Sequence, residues 1–240
     1  MKIAIIGYGK MGKVIEKLAL ERGHEISLKI NRSNLNEFTQ DKLKSTDVAI
    51  EFSTPEVGFL NVKQLIEWGV PTISGTTGWK DKLDEINALA EQNKVGFIYA
   101  SNFSLGVNLF FALNEYLAKL MRDQPYSPEI EEIHHTSKKD SPSGTAISLA
   151  EQIMATTSFK GWTNDTSDQD NIIPILSKRI DPAPGTHTVT YNSEIDTISI
   201  NHTAHTRKGF ALGSIIAAEW IVNKHGVFTM KDVLGLTTPR

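Results

Sequence analysis

Cysteine is absent from the 240 residues, and with it go disulfides, thiolate metal sites and a cysteine nucleophile. Long apolar runs are missing as well. The N-terminal one stops at Gly7, too short for a signal core or a membrane span, and no later segment has transmembrane length. Basic charge is not in excess: 25 Lys and Arg face 28 Asp and Glu, for a formal net charge of −3. Neither nucleic acid nor an anionic membrane is therefore expected as a partner. Fixed-period repeats and low-complexity tracts are lacking too. What is there is an ordinary globular composition, 40% hydrophobic and 22% charged. The chain is long enough for one large domain or two small ones, and it is expected in the cytoplasm.

The first hundred residues alternate short β-branched runs with helical patterns. Residues 3–6 form a continuous apolar run ending in glycine, as a buried parallel strand should. Residues 11–22 then place Val14, Ile15, Leu18 and Ala19 on one helical face, with Gly23 as the stop. Strands are expected at 26–30, 48–52, 71–74 and 95–100, with helices at 56–69 and 80–92 between them. This alternation argues for an α/β, Rossmann-like parallel sheet covered on both faces. After Asn102 the grammar changes. Helices are expected at 105–121 and 145–155, strands at 130–135, 172–180, 187–191 and 195–201, and a long polar loop at 156–171. Strands in succession imply a second, α+β domain with a mixed sheet at 104–208. A last helix at 209–223 packs back on the first domain, 1–103, because too little chain follows it for a third.

Two segments carry chemistry. Gly7-Tyr8-Gly9-Lys10-Met11-Gly12 is a G-x-G-x-x-G loop lying directly after a strand and before a helix. Its glycines allow a tight turn and close approach of backbone to a pyrophosphate, which then sits at a helix N-terminus. Lys10 adds positive charge. At the end of the second strand, where an acid would hold the ribose diol of NAD, the chain has Asn31-Arg32. That arginine favours NADPH, or tolerance of it. The second segment runs from Glu132 through His134, His135 and Lys138 to Ser143, Gly144 and Thr145. The Ser-Gly-Thr start of a helix offers free N–H groups and hydroxyls, a ready carboxylate site, with His135 and Lys138 adding positive charge nearby. Adjacent histidines on a strand point to opposite faces and the motif offers no obvious third donor, so no metal is expected.

The string H-H-x-x-K-x-D-x-P-S-G-T-A resembles the signature of the dihydrodipicolinate reductase family. Phe52-Ser53-Thr54-Pro55, Gly75-Thr76-Thr77-Gly78, the run from Asn102 to Asn108, and Phe210-Ala211-Leu212-Gly213 match further along, so the resemblance spans the chain. It implies NAD(P)H-dependent reduction of 4-hydroxy-tetrahydrodipicolinate, a cyclic dicarboxylate, with loss of water, in lysine and diaminopimelate biosynthesis. It implies a homotetramer assembled through the second domain's sheet. It makes His134 and Lys138 the acid/base pair, and gives substrate carboxylates to His135, Gly144 and Thr145, with Ser143 adjoining. Gly7 to Met11 would hold the pyrophosphate and Asn31-Arg32 the adenosine ribose. Phe52 would also bind the cofactor, and Gly75, Thr76, Thr77, Ala100, Ser101, Asn102 and Phe103 would lie near its nicotinamide. The chain departs from the family in its shorter glycine loop, in Asn31, and in Asp181-Pro182-Ala183-Pro184. The glycine loop alone also fits another NAD(P)-dependent oxidoreductase of amino acid-related substrates, or a non-catalytic NADPH sensor.

Overall fold

A computed structural model describes residues 1–166, 169, 171–206 and 208–236. The chain divides into two compact units, Met1–Leu105 with Lys208–Arg240, and Gly106–Arg207. The first begins β1 (Lys2–Ile6), α1 (Lys10–Glu21), β2 (Glu25–Ile30), a short α2 (Gln40–Leu43), β3 (Val48–Glu51) and α3 (Pro55–Glu67). It continues with β4 (Thr72–Ser74), α4 (Leu83–Asn93) and β5 (Gly96–Tyr99). The second unit holds α5 (Leu105–Met121, its first residue still in the first unit), β6 (Ser127–His134), α6 (Gly144–Met154) and β7 (Gly161–Thr163). It closes with β8 (Ile172–Arg179), β9 (Thr186–Asn192) and β10 (Thr197–Thr203). The chain then returns to the first unit for α7 (Lys208–Ile221), β11 (Gly226–Phe228) and α8 (Met230–Val233).

The first sheet has the order β11-β5-β4-β3-β1-β2, every pair parallel. Its central strands are apolar on both faces because helices cover both. Ile3, Ile5, Ile50 and Ile98 pack with Ile15 of α1 and Ile215 and Ala218 of α7, while Ala4, Ile6, Ala49 and Leu65 form a core on the other side. The last long helix, α7, thus packs on this sheet. The sheet's sixth strand, β11, was not expected from the sequence; three residues are too few for a period to show.

The second sheet is mixed, in the order β10-β9-β6-β8-β7. β6 alternates strictly, with Pro128, Ile130, Glu132 and His134 on the buried face. Ile130, Ile173, Ile175 and Val189 pack against Leu149, Ala150 and Ile153 of α6 and Ala118 of α5. Two sequence expectations need correction here. The stretch 156–171 is not all loop: Gly161–Thr163 pairs with β8, and Trp162 packs against the core between polar flanks that hid it. The last strand begins at Thr197, two residues late, because Ile195 sits 93% exposed in the hairpin. Among the described residues no helix is long and apolar enough to cross a membrane.

Candidate active site

In the first unit, a cavity of about 1180 Å³ opens at the carboxyl ends of β1, β2 and β3. Gly7, Tyr8 and Gly9 line it, with Asn31 and Arg32 from the end of β2, and Phe52, Ser53 and Thr54 after β3. Gly7 takes φ +95°, and a Cβ there would stand 2.1 Å from the Phe52 carbonyl oxygen, so the turn admits only glycine. Nothing stands within 4 Å of the Cβ place on Gly9, at the head of α1, and no acid occupies that helix's first turn. The helix start is therefore open to a phosphate on the side facing its dipole. Lys10 and Met11 open α1, and Gly12 seats it against the Gly7 carbonyl. The size of the cavity, its glycine turn and its basic Arg32 fit a dinucleotide.

The other expected cofactor residues lie at the neighbouring strand ends. Gly75 packs flat on the Phe52 ring, where a Cβ would stand 2.2 Å from a ring carbon. Thr76 is buried, while Thr77 and Ser101 are exposed. Asn102 accepts from the Ser104 N–H at 2.9 Å, and Phe103 is 1% exposed in the core, its ring 6.0 Å from that of Phe52. Ala100 donates its N–H to the Ser74 carbonyl. Beneath these loops lies Glu51, which the sequence reading passed over. It has no exposed surface and accepts from Ser53 N at 2.9 Å, Ser74 Oγ at 2.7 Å, Thr76 Oγ1 at 2.8 Å and the Ser53 hydroxyl. Burial pushes its pKa up, and those donors only partly counter it.

In the second unit, strand register builds a polar cluster. Pairing of β6 with β9 sets Glu132 opposite His187, and pairing of β6 with β8 sets His134 opposite Arg179. Glu132, fully buried, accepts from Arg179 Nη2 at 2.9 Å and from the Ser143 N–H at 3.3 Å, and its other oxygen meets His134 Nδ1 in a short contact. Burial alone would raise the Glu132 pKa, but His134 and Arg179 outweigh it and hold it at about 2. Ser143 caps α6: its Oγ accepts from the Ala146 N–H at 3.2 Å and shares a 3.0 Å hydrogen bond with His187 Nε2. Burial, with His134 nearby, lowers the His187 pKa to about 3, so this ring stays neutral. The His134 and His187 rings meet edge to face at 5.1 Å.

Around this cluster Lys138 Nζ donates to Asp140 at 2.6 Å, and His135 Nδ1 lies 2.7 Å from Ser137 Oγ. Gly144 is exposed with nothing within 4 Å of its Cβ place, and Thr145 follows in the open first turn of α6. Asp181 of the atypical segment accepts from Thr136 N at 3.1 Å and Oγ1 at 2.5 Å, which pins the loop carrying His135 and Lys138. One expectation is corrected: a third potential metal donor does exist. Glu132, His134 and His187 offer ligand atoms within 4.8 Å of one another. Arg179 already neutralises that carboxylate, which removes much of the attraction a cation would feel. Glu132 had a readable signal, since E-x-H on a strand puts both side chains on one face. Arg179 and His187 had none, because register brings them from other strands.

The family model described as dihydrodipicolinate reductase, N-terminus, matches residues 1–103, and that described as dihydrodipicolinate reductase, C-terminus, matches residues 106–234. The chain belongs to the dihydrodipicolinate reductase family. It is 50% identical, over 98% of each chain, to the 4-hydroxy-tetrahydrodipicolinate reductase of Christiangramia forsetii. It is 35% identical to the reductase of that name from Archaeoglobus fulgidus, over 98% of this chain and 100% of the relative. Among solved structures, the dipicolinate-bound dihydrodipicolinate reductase from Paenisporosarcina sp. TG-14 superposes with a TM-score of 0.80 at 23% identity, covering 95% of this chain and 97% of that one. An amine dehydrogenase from Mycobacterium smegmatis reaches 0.65 at 10% identity, covering 96% and 95%. The shared architecture therefore spans different named activities.

Proposed function

We propose that the chain is an NAD(P)H-dependent 4-hydroxy-tetrahydrodipicolinate reductase, forming tetrahydrodipicolinate with loss of water in lysine and diaminopimelate biosynthesis. The observation that carries this reading is the join of an open α6 start to the hydrogen-bonded Glu132–His134 dyad. A cyclic dicarboxylate needs anion-binding groups and a proton source, and this segment offers both.

The bound nicotinamide would supply hydride, which no side chain can. Gly7, Tyr8, Gly9, Lys10, Met11 and Gly12 would hold the pyrophosphate against α1, with Asn31 and Arg32 on the adenosine ribose. Phe52, Gly75, Thr76 and Thr77 would border the nicotinamide with the 100–103 segment. His135, Ser143, Gly144 and Thr145 would take substrate carboxylates through side chains and free N–H groups. His134 and Lys138 would handle the proton, the imidazole as a group that can take or give one and the ammonium as a donor. Arg32 supports use of NADPH. The open sheet face carrying Glu131, Thr188 and Thr190 is only partly covered in one chain, which supports a homotetramer built through it. A cytoplasmic location fits the cysteine-free composition.

The test is a coupled assay. Dihydrodipicolinate synthase generates the unstable substrate in place, and absorbance follows NADPH and NADH oxidation separately. Synthase-dependent oxidation is the expected result. None, from folded protein that binds the cofactor, would move the function to another amino acid-related reductase or to an NADPH sensor.

A further inference from the structure

Taking a carboxylate out of water costs several kcal/mol unless its partners compensate. Among the described residues of the second unit, Glu132 is the acid that meets this condition, with no exposed surface. Its two oxygens are divided. Oε1 takes Arg179 from β8 and the Ser143 N–H from the cap of α6, so the group is fixed from two elements. Oε2 meets His134 Nδ1, and the Ser177 hydroxyl from β8 is a further donor to the carboxylate. An ionised carboxylate only accepts, so Nδ1 must donate. The neutral ring then carries its proton on Nδ1 and its lone pair on Nε2, and the charged ring presents N–H at Nε2.

The surroundings of Nε2 agree. A Cβ on Gly185 would stand 3.0 Å from it, so glycine at that position keeps a side chain from crowding the nitrogen. His187, held by Ser143 at Nε2, touches the ring edge to face and brings no second charge to compete for the carboxylate.

We infer that Glu132 is a positioning residue for His134, fixing the ring and its tautomer so that Nε2 is the nitrogen offered to substrate. This rests on the reading of His134 as a proton-handling group. Arg179 completes the device by holding the carboxylate ionised and in place.

The test uses full-length protein with ¹⁵N-labelled histidine rings, assigned with His134→Gln. In wild type the neutral His134 ring should be the Nδ1–H tautomer, and a predominant Nε2–H tautomer would overturn the inference. In the coupled assay Glu132→Gln should lower kcat by about 10- to 100-fold, the usual range for such supporting contacts, with little change in substrate KM. Glu132→Asp should recover part of that loss. A raised KM at unchanged kcat would overturn the positioning role. Should Glu132→Gln fail to fold, the wild-type tautomer decides alone. His134→Gln that keeps full kcat while wild type shows Nδ1–H would sink the proton-handling reading and leave the tautomer assignment standing.

Discussion

Two glutamates on interior strands of this chain have no exposed surface, Glu51 at the end of β3 and Glu132 within β6. Their partners differ in kind. Glu51 meets hydroxyls and one N–H, and burial carries its pKa upward. Glu132 meets an imidazole and a guanidinium and is held at about 2. Neutral donors can fix a carboxyl in place without making its charge favourable, whereas cationic partners make a permanent anion. The first arrangement suits architecture: Glu51 ties the turns after β3 and β4, the first of which lines the cavity beside Gly7. The second suits chemistry, because a fixed anion beside His134 orients a ring that can carry a proton.

The largest separation of the two should come from truncation. Glu132→Ala leaves Arg179 and His134 around a missing charge and should destabilise the second unit by about 3–5 kcal/mol, the usual cost of breaking a buried ion pair. Urea unfolding followed by second-unit probes measures it. A loss under about 1 kcal/mol would mean that the pair contributes little. In the first unit, Arg32→Ala should weaken NADPH by about 10- to 100-fold, as for loss of one charged hydrogen bond, and NADH far less. Titration calorimetry with each nucleotide reads the ratio, and a uniform loss would count against phosphate recognition.

Acid should act on the two units in opposite senses. His187 has a folded pKa of about 3 against 6.5, so the stability linked to its neutral form is full above 6.5 and drains as pH falls towards 3. The slope is about 1.4 kcal/mol per pH unit. Glu132 adds a further loss as pH falls from 4.5 to about 2. Glu51, with a raised folded pKa, contributes fully below 4.5 and less as pH rises. Hydrogen-exchange protection of β6 should therefore fall on acidification from about pH 7 to 5 while that of β3 does not. His187→Phe should remove much of the β6 response, and parallel behaviour of both strands would erase the distinction. The smallest effect is expected for Glu51→Gln, within about 1 kcal/mol of wild type in thermal unfolding, because an amide keeps acceptors and donors among the same hydroxyls. A loss as large as that of Glu132→Ala would show that Glu51 also works as a charge.

The glycine loop and the His-His segment were legible because each is local: strand, turn and helix start follow within a few residues. The parallel sheet was legible from the continuous apolar run at 3–6 and from the alternation of short strands with helical patterns after it. Glu51 and Glu132 were visible as acids on apolar strand faces, yet their meaning depends on partners from other elements. Arg179 and His187 reach Glu132 only through the β6–β8 and β6–β9 registers, and alternation reveals a strand's buried face without naming its neighbour. The short strands β7 and β11 escape because three residues carry no period and, unlike β4, neither lies between two expected helices.

The most direct measurement compares three alanine variants in the coupled assay. His134→Ala and Lys138→Ala should lower kcat by about 10²–10⁴-fold, and Thr145→Ala should chiefly raise substrate KM. Small, equal effects at all three positions would contradict the placing of the chemistry between β6 and the start of α6.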